Sequence, residues 1–313
     1  MRLDRLLAMI LILICLVAAV GNWLMGTSLP DAQKRNAAVE IALIDIYGGI
    51  SDTQSAGPFS SGGGASANTL LEAIQKARKD DVKAILLRIN SPGGTAAAAQ
   101  SVYNELMRAR KETNIKIVAS LGDLAASGGY YIASAAHHIV ANPSTLTGSI
   151  GVIVHTQNVA SLMDKLGVQS GTVQSGRFKD ILSPFRSTTE DERKIIQGIV
   201  SDSYEQFLAS IVQGRNISLA ELRPLADGRI YTGAQAKAVK LVDSLGNYQD
   251  AVKKTAEIAR IKGDPKISNY TNRGLSNSLL GRLLPFSTGS WLPAQSSGPM
   301  VQDWNKVPLA LME

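Results

Sequence analysis

Apolar residues in this chain fall into short β-branched runs separated by longer stretches in which they recur every three or four positions, and that alternation sets the expected architecture. Val39–Tyr47, Val82–Ile89, Ile115–Ser120 and Ile139–Ala141 have the length and composition of strands. Thr69–Lys79 and Ala96–Lys111 carry helical spacing between them, and Tyr130–Ala136 reads as a short helix after the third strand. Further on, the pattern predicts a helix over Asn158–Leu166, an extended segment over Val168–Gln174, and a long amphipathic helix over Thr189–Gly214. Thr189 and Glu192 form a capping-box pattern at the start of that helix, and Ser218 with Glu221 repeats it for a shorter one. Asp227–Tyr231 reads as a turn and short strand, and Gly233–Val239 and Asn247–Arg260 as helices. Strands alternating with helices predict a parallel α/β sheet, whose ligands lie at the carboxyl ends of the strands. Two glycine-rich turns fall at such ends, Asn90–Thr95 and Gly122–Tyr131.

The ends of the chain follow other rules. Leu6–Leu24 is almost unbroken apolar sequence, with only Asn22 clearly polar, matching the ~20 residues a bilayer-spanning helix needs. Arg2 and Arg5 precede it, which places the N-terminus in the cytoplasm and the following domain on the other side of the inner (cytoplasmic) membrane as a single-pass protein. The competing reading is a cleaved signal peptide, for which Val17-Ala18-Ala19 offers a weak cleavage site. The expected organisation is a cytoplasmic end and anchor over 1–25, a tether over 26–37, a globular domain over 38–262 and a flexible tail over 263–313. Within the domain, the Gly/Ser segment Ser51–Ser66 has no face to bury and is expected as a loop.

Composition removes several functions. The net charge is +6, but Lys and Arg are scattered without aromatic interleaving, which argues against a nucleic-acid partner. Cys15 is the single cysteine, so no intrachain disulfide forms. His137, His138 and His155 show no metal-ligand spacing, and neither a metal nor a cofactor is expected. The His137-His138 pair is expected as polar edge residues at the start of the Ile139–Ala141 strand.

Candidate chemistry centres on Gly122–Tyr131. Ser127 lies among small residues between a strand and a helix, which suits either a nucleophile on a turn or a plain Gly-rich turn. A serine nucleophile needs a base. His155 is one candidate; Lys179, behind Gly176 and Phe178, is another if burial keeps its amine neutral, and an ordinary surface lysine if not. Ser91-Pro92-Gly93-Gly94 can turn backbone N–H groups into a cleft, either toward an oxyanion or toward a phosphate.

Four motifs in order, Asn90–Gly94, Gly122–Tyr131, Thr147–Gly151 and Ser175–Asp180, resemble those of the signal peptide peptidase A (protease IV) family in its short, single-repeat form, over roughly Val39–Arg260. The resemblance implies a Clp protease/crotonase-like parallel-sheet fold behind an N-terminal transmembrane helix. It implies a membrane-anchored serine endopeptidase acting on peptides, cleaved signal peptides among them, in a homo-oligomeric ring at the lipid bilayer. By motif, Ser127 would be the nucleophile and Lys179 the general base. Gly94 and Gly128 would supply the oxyanion hole, and Ser149 would orient the lysine. One protomer is expected to supply both Ser127 and Lys179. A crotonase-like acyl-CoA enzyme and a non-catalytic membrane scaffold of the same fold stand as alternatives.

Overall fold

The computed structural model of the chain describes residues 39–52 and 64–271, all within one compact unit, Met1–Asn272. The expected anchor and tether, most of the Gly/Ser segment and the tail beyond 271 lie outside the described residues. Among the described residues no helix is long and apolar enough to cross a membrane.

In chain order the strands are β1 (Ile41–Tyr47), β2 (Ile50–Ser51), β3 (Ala65–Ser66), β4 (Ala84–Ser91), β5 (Lys116–Ala126), β6 (His138–Ala141), β7 (Leu146–Gly148), β8 (Ile230–Thr232), β9 (Ser244–Leu245) and β10 (Ile267–Asn269). The helices are α1 (Ala67–Lys79), α2 (Ala96–Glu112), α3 (Gly128–Ala133), α4 (Ala160–Lys165), α5 (Glu190–Arg215), α6 (Leu219–Leu222), α7 (Gly233–Ala238) and α8 (Tyr248–Ile258). The main sheet runs β10-β1-β4-β5-β6-β9 with every pair parallel, as the strand–helix alternation predicts; β7 adds to β5 in parallel, and β8 closes on β7 antiparallel.

Period-two burial sorts the strand side chains. Ile85, Leu87 and Ile89 join Ile44, Ile46 and Leu121 under α1, α2 and α3, while Ala84, Leu86 and Val118 face α8 through Ala251. The helix starts expected from capping boxes form as read: Thr189 Oγ1 accepts from Glu192 N–H at 3.3 Å, and Ser218 Oγ accepts from Glu221 N–H at 3.2 Å.

Three expectations are corrected. Val168–Gln174 forms no strand, because every side chain there is exposed and no backbone partner runs beside it. The short strands β9 and β10, which the apolar pattern does not mark, exist because edges of the parallel sheet are there to receive them: β9 pairs β6, and β10 pairs β1, so the start of the expected tail over 263–313 belongs to the sheet. The histidine pair is not at a sheet edge, since β6 lies between β5 and β9. His137 Nδ1 accepts the Ile117 N–H at 3.0 Å, and His138 Nε2 meets Ser244 Oγ at 2.9 Å. Burial, reinforced by Arg110 and Lys116, holds the His137 imidazole down at about 4, and burial lowers His138 as well.

This fixes a sign for acid stability. An unfolded chain takes up the His137 proton below about 6.5, whereas the folded chain resists until about 4, so the contribution is complete above the first value and is lost as pH falls toward the second. His137→Asn, whose side-chain oxygen replaces the acceptor, is expected to flatten the fall in urea midpoint between about pH 7 and about pH 4.5 relative to the unsubstituted chain. An unchanged slope would refute the assignment.

Candidate active site

The site begins with an irregularity between β4 and β5. Ile89 pairs with Leu121 and Ser91 with Ala125, so β5 advances four residues while β4 advances two. Asn90 Oδ1 stabilises the excursion by accepting the Leu124 N–H at 3.0 Å. Beyond it β5 is held by β7: Thr147 Oγ1 donates to Ala125 O at 2.7 Å, and Ser127 N–H donates to Gly148 O at 2.9 Å. The strand therefore runs straight into the serine, six residues farther than the apolar run alone suggests, Ser120 against Ala126.

Ser127 sits at φ 52° and ψ −120°, a left-handed conformation for a residue with a side chain, at the junction of β5 and α3. This is the sharp strand-to-helix turn that presents a serine hydroxyl above a sheet, and the strain is held by the Gly148 bond behind and the Tyr131 N–H to Ser127 O bond at 2.8 Å ahead. Tyr131 is fixed in turn by Ser210 Oγ at 2.8 Å and by stacking on Phe207 at 4.5 Å between ring centroids.

The second turn meets the first through backbone alone. Gly93 has φ +106°, and a Cβ there would stand 2.8 Å from Gly128 N and 2.8 Å from the Ser127 Cβ. A Cβ on Gly94 would fall 1.8 Å from Ile50 O, and one on Gly128 would lie 3.2 Å from Gly94 N. Ile50 N–H donates to Gly93 O at 2.8 Å and Thr95 N–H to Ile50 O at 2.9 Å, so β2 pins the turn. Ser91 pins it from below: its Oγ donates to Gly48 O at 2.6 Å and accepts from Gly93 N–H at 3.1 Å. The N–H groups of Gly94 and Gly128 enter none of these bonds, and they lie beside the Ser127 side chain. Ser91 and Ile50 are the site-building residues that sequence reasoning passed over; Ser91 stood inside a named motif, but nothing in the pattern signals the contact from Ile50.

Ser127, Gly94 and Gly128 line one cleft of ≈ 520 Å³, walled by Ile50, Ile153 and Phe207. That volume accommodates a few side chains of an extended ligand. Ser149 follows the carbonyl that holds Ser127, with φ 50° and its N–H bonded to Arg229 O at 2.8 Å. Lys179 is not among the residues lining the cleft; its side chain is exposed, on a turn whose N–H donates to Gly176 O at 3.0 Å. None of the three histidines lines the cleft either, and among the described residues no cluster of His, Cys, Asp or Glu could hold a metal ion.

A serine on a strained elbow beside backbone N–H groups is an arrangement that hydrolases of the serine type use. Comparison with known proteins narrows this. The profile of peptidase family S49 matches residues 109–262. A putative protease of Synechocystis sp. is 40% identical over 231 residues, covering 74% of this chain and 78% of its own. A putative signal peptide peptidase of Enterococcus faecium is 35% identical over 271 residues, covering 86% and 77%. Protease 4 of Salmonella typhi is 35% identical over 276 residues, 85% of this chain but 43% of its own length. The chain belongs to peptidase family S49, within the signal peptide peptidase A/protease IV group, and is a serine peptidase. The acyl-CoA and scaffold alternatives fall with that membership.

Gly94→Ala forces β2 and the turn apart, because its Cβ overlaps the Ile50 carbonyl. If its N–H serves the oxyanion, kcat on a fluorogenic peptide is expected to fall by about 10²–10³-fold. A Gly94→Ala enzyme with undiminished kcat would remove this turn from the catalytic machinery.

Proposed function

We propose that this chain is a membrane-anchored endopeptidase of the Clp protease/crotonase type that cuts peptides such as cleaved signal peptides by a Ser127/Lys179 dyad. The observation that carries the reading is the Ser127 elbow at φ 52° pressed against the N–H groups of Gly94 and Gly128. Neutral Lys179 accepts the Ser127 proton as Oγ bonds to the scissile carbonyl carbon, and the Gly94 and Gly128 N–H groups hold the oxyanion, about 3–4 kcal/mol for each donor. The C–N bond then breaks, the lysine ammonium protonates the departing amine, and water repeats the sequence on the acyl-enzyme to release the acid and restore Ser127. Ser149 orients the lysine amine. No metal or cofactor enters any step.

The Ser175–Asp180 motif supports lysine as the base, and no histidine lines the cleft to compete with it. A lysine serves as base only when desolvation keeps its amine neutral, and the exposed Lys179 side chain gains that burial when its segment is covered. A homo-oligomeric ring would cover it. The same segment carries exposed apolar side chains that such a ring could cover, Ile153 at 75% exposure, Leu166 at 66% and Val173 at 104%. The anchor over Leu6–Leu24 would hold the ring at the inner membrane, on the extracytoplasmic side, close to substrates released in the bilayer. The name of the Enterococcus faecium relative supports that substrate class.

Ser127→Ala and Lys179→Ala are each expected to abolish hydrolysis of a signal-peptide substrate, and Ser127→Ala to abolish labelling by a fluorophosphonate. Mixing the two inactive proteins tests where the dyad closes: recovered activity means that Lys179 serves a neighbour's Ser127, and none means that it serves its own. Wild-type turnover in either single variant would overturn the dyad.

A further inference from the structure

The segment that carries Lys179 has no apolar core of its own. No residue from Gly151 to Asp191 is buried, and the first buried side chain after Ile150 is a carboxylate, Glu192, at 2% exposure. A base must nevertheless be held to a fraction of an ångström, so something other than packing must fix it.

Charge does so here. Arg186 donates to both oxygens of Asp180, Nε to Oδ2 at 2.7 Å and Nη2 to Oδ1 at 2.7 Å. The same guanidinium donates to Glu192, through Nη1 to Oε2 at 2.9 Å and through Nη2 to Oε1. Thr189 adds its N–H at 2.8 Å and its hydroxyl at 3.0 Å to Glu192 Oε2. Asp180 is the residue next to Lys179, and on the other side Arg177 pairs with Asp191. The Lys179 turn is thus tied on both flanks to the first turn of α5. The Arg177 pair is exposed and worth little, whereas Glu192 is buried and fully bonded, so its removal from Arg186 would strand a buried charge. The hydrogen bonds from Arg186 hold Glu192 down at about 2 and likewise lower Asp180, so both carboxylates are ionised at neutral pH. Farther along, α5 contributes Ser203 and Phe207 to the wall of the Ser127 cleft. One rigid helix therefore carries a wall of the nucleophile's cleft and the mounting of the lysine.

We infer that Arg186, bridging Asp180 and Glu192, is a positioning residue for catalysis: it fixes the Lys179 turn to α5 without touching substrate. The inference rests on Lys179 being the base. Lysine at this position restores the charge but not the fork that grips two carboxylates. Asp180→Asn leaves the Arg186–Glu192 pair in place and weakens only the link to Lys179.

The test uses the full chain in its assembled form, with kcat and KM on a fluorogenic peptide, the rate of Ser127 labelling by a fluorophosphonate, and the assembled mass. Arg186→Gln is expected to lower kcat by about 10²-fold with KM within about threefold, and to slow labelling in parallel, at unchanged mass. Arg186→Lys should recover part of the loss, and Asp180→Asn should cost about tenfold in kcat. If Arg186→Gln fails to assemble, Asp180→Asn decides. Wild-type kcat in Arg186→Gln or Asp180→Asn, while Lys179→Ala is inactive, overturns the positioning role alone. A loss in Asp180→Asn that appears only as a raised KM also overturns it. Turnover retained by Lys179→Ala overturns the base assignment, and the positioning role with it.

Discussion

The site depends on an approach of two backbones that leaves no room for a side chain. The Gly93-Gly94 turn lies against Ser127-Gly128 so closely that a Cβ on Gly93 would reach Gly128 N and the Ser127 Cβ at 2.8 Å each. Backbone donors can point at the same place only if nothing separates them, and glycine at 93, 94 and 128 is what permits it. The strain this requires is concentrated at Ser127, whose positive φ costs of order 1–3 kcal/mol and persists because bonds to Gly148 and from Tyr131 hold it from both ends.

The sheet exists, in this view, to deliver those two turns. Adjacent parallel strands β4 and β5 end at the same level, so their following turns meet without any long-range loop. The irregularity at Asn90 and the pairing of β5 with β7 then move Ser127 beyond the sheet proper and bring Ser149 in beside it. Structural hydroxyls do much of this: Ser91, Thr145 and Thr147 are buried, and each donates to a backbone carbonyl of a neighbouring turn or strand.

Most of this fold was legible because its signals are local. Thr189–Glu192 and Ser218–Glu221 announce helix starts whatever surrounds them, and the Ile/Leu/Val runs of β1, β4 and β5 have nowhere to go but a buried sheet. The Ser127 turn was legible as a motif, yet the length of strand before it was not, since Gly122–Ala126 is poor in β-forming side chains and its extension rests on pairing with β4 and β7. The His137-His138 pair misled for a related reason: its partners, Ile117 N–H and Ser244, come from β5 and β9, and β9 is too short to show in any hydrophobic pattern. Val168–Gln174 had strand-like composition without a neighbouring strand to pair with, and composition alone does not make a sheet.

The proposed base is the instructive case, because its motif and its geometry speak to different objects. Ser127, Gly94 and Gly128 are brought together by backbone packing within one chain, whereas Lys179 sits on a segment whose buried anchor is ionic and whose apolar side chains are exposed. A lysine that serves as a base must lose its solvent to lose its proton, so on the proposed reading Lys179 acts only once something covers it. On that reading rigidity and desolvation are separate requirements: the bonds of Arg186 to Asp180 and Glu192 supply the first within the chain, and the second is left to whatever covers the segment. If an assembly supplies that cover, as proposed, hydrolysis is confined to the assembled form and proteins that meet the chain alone are spared.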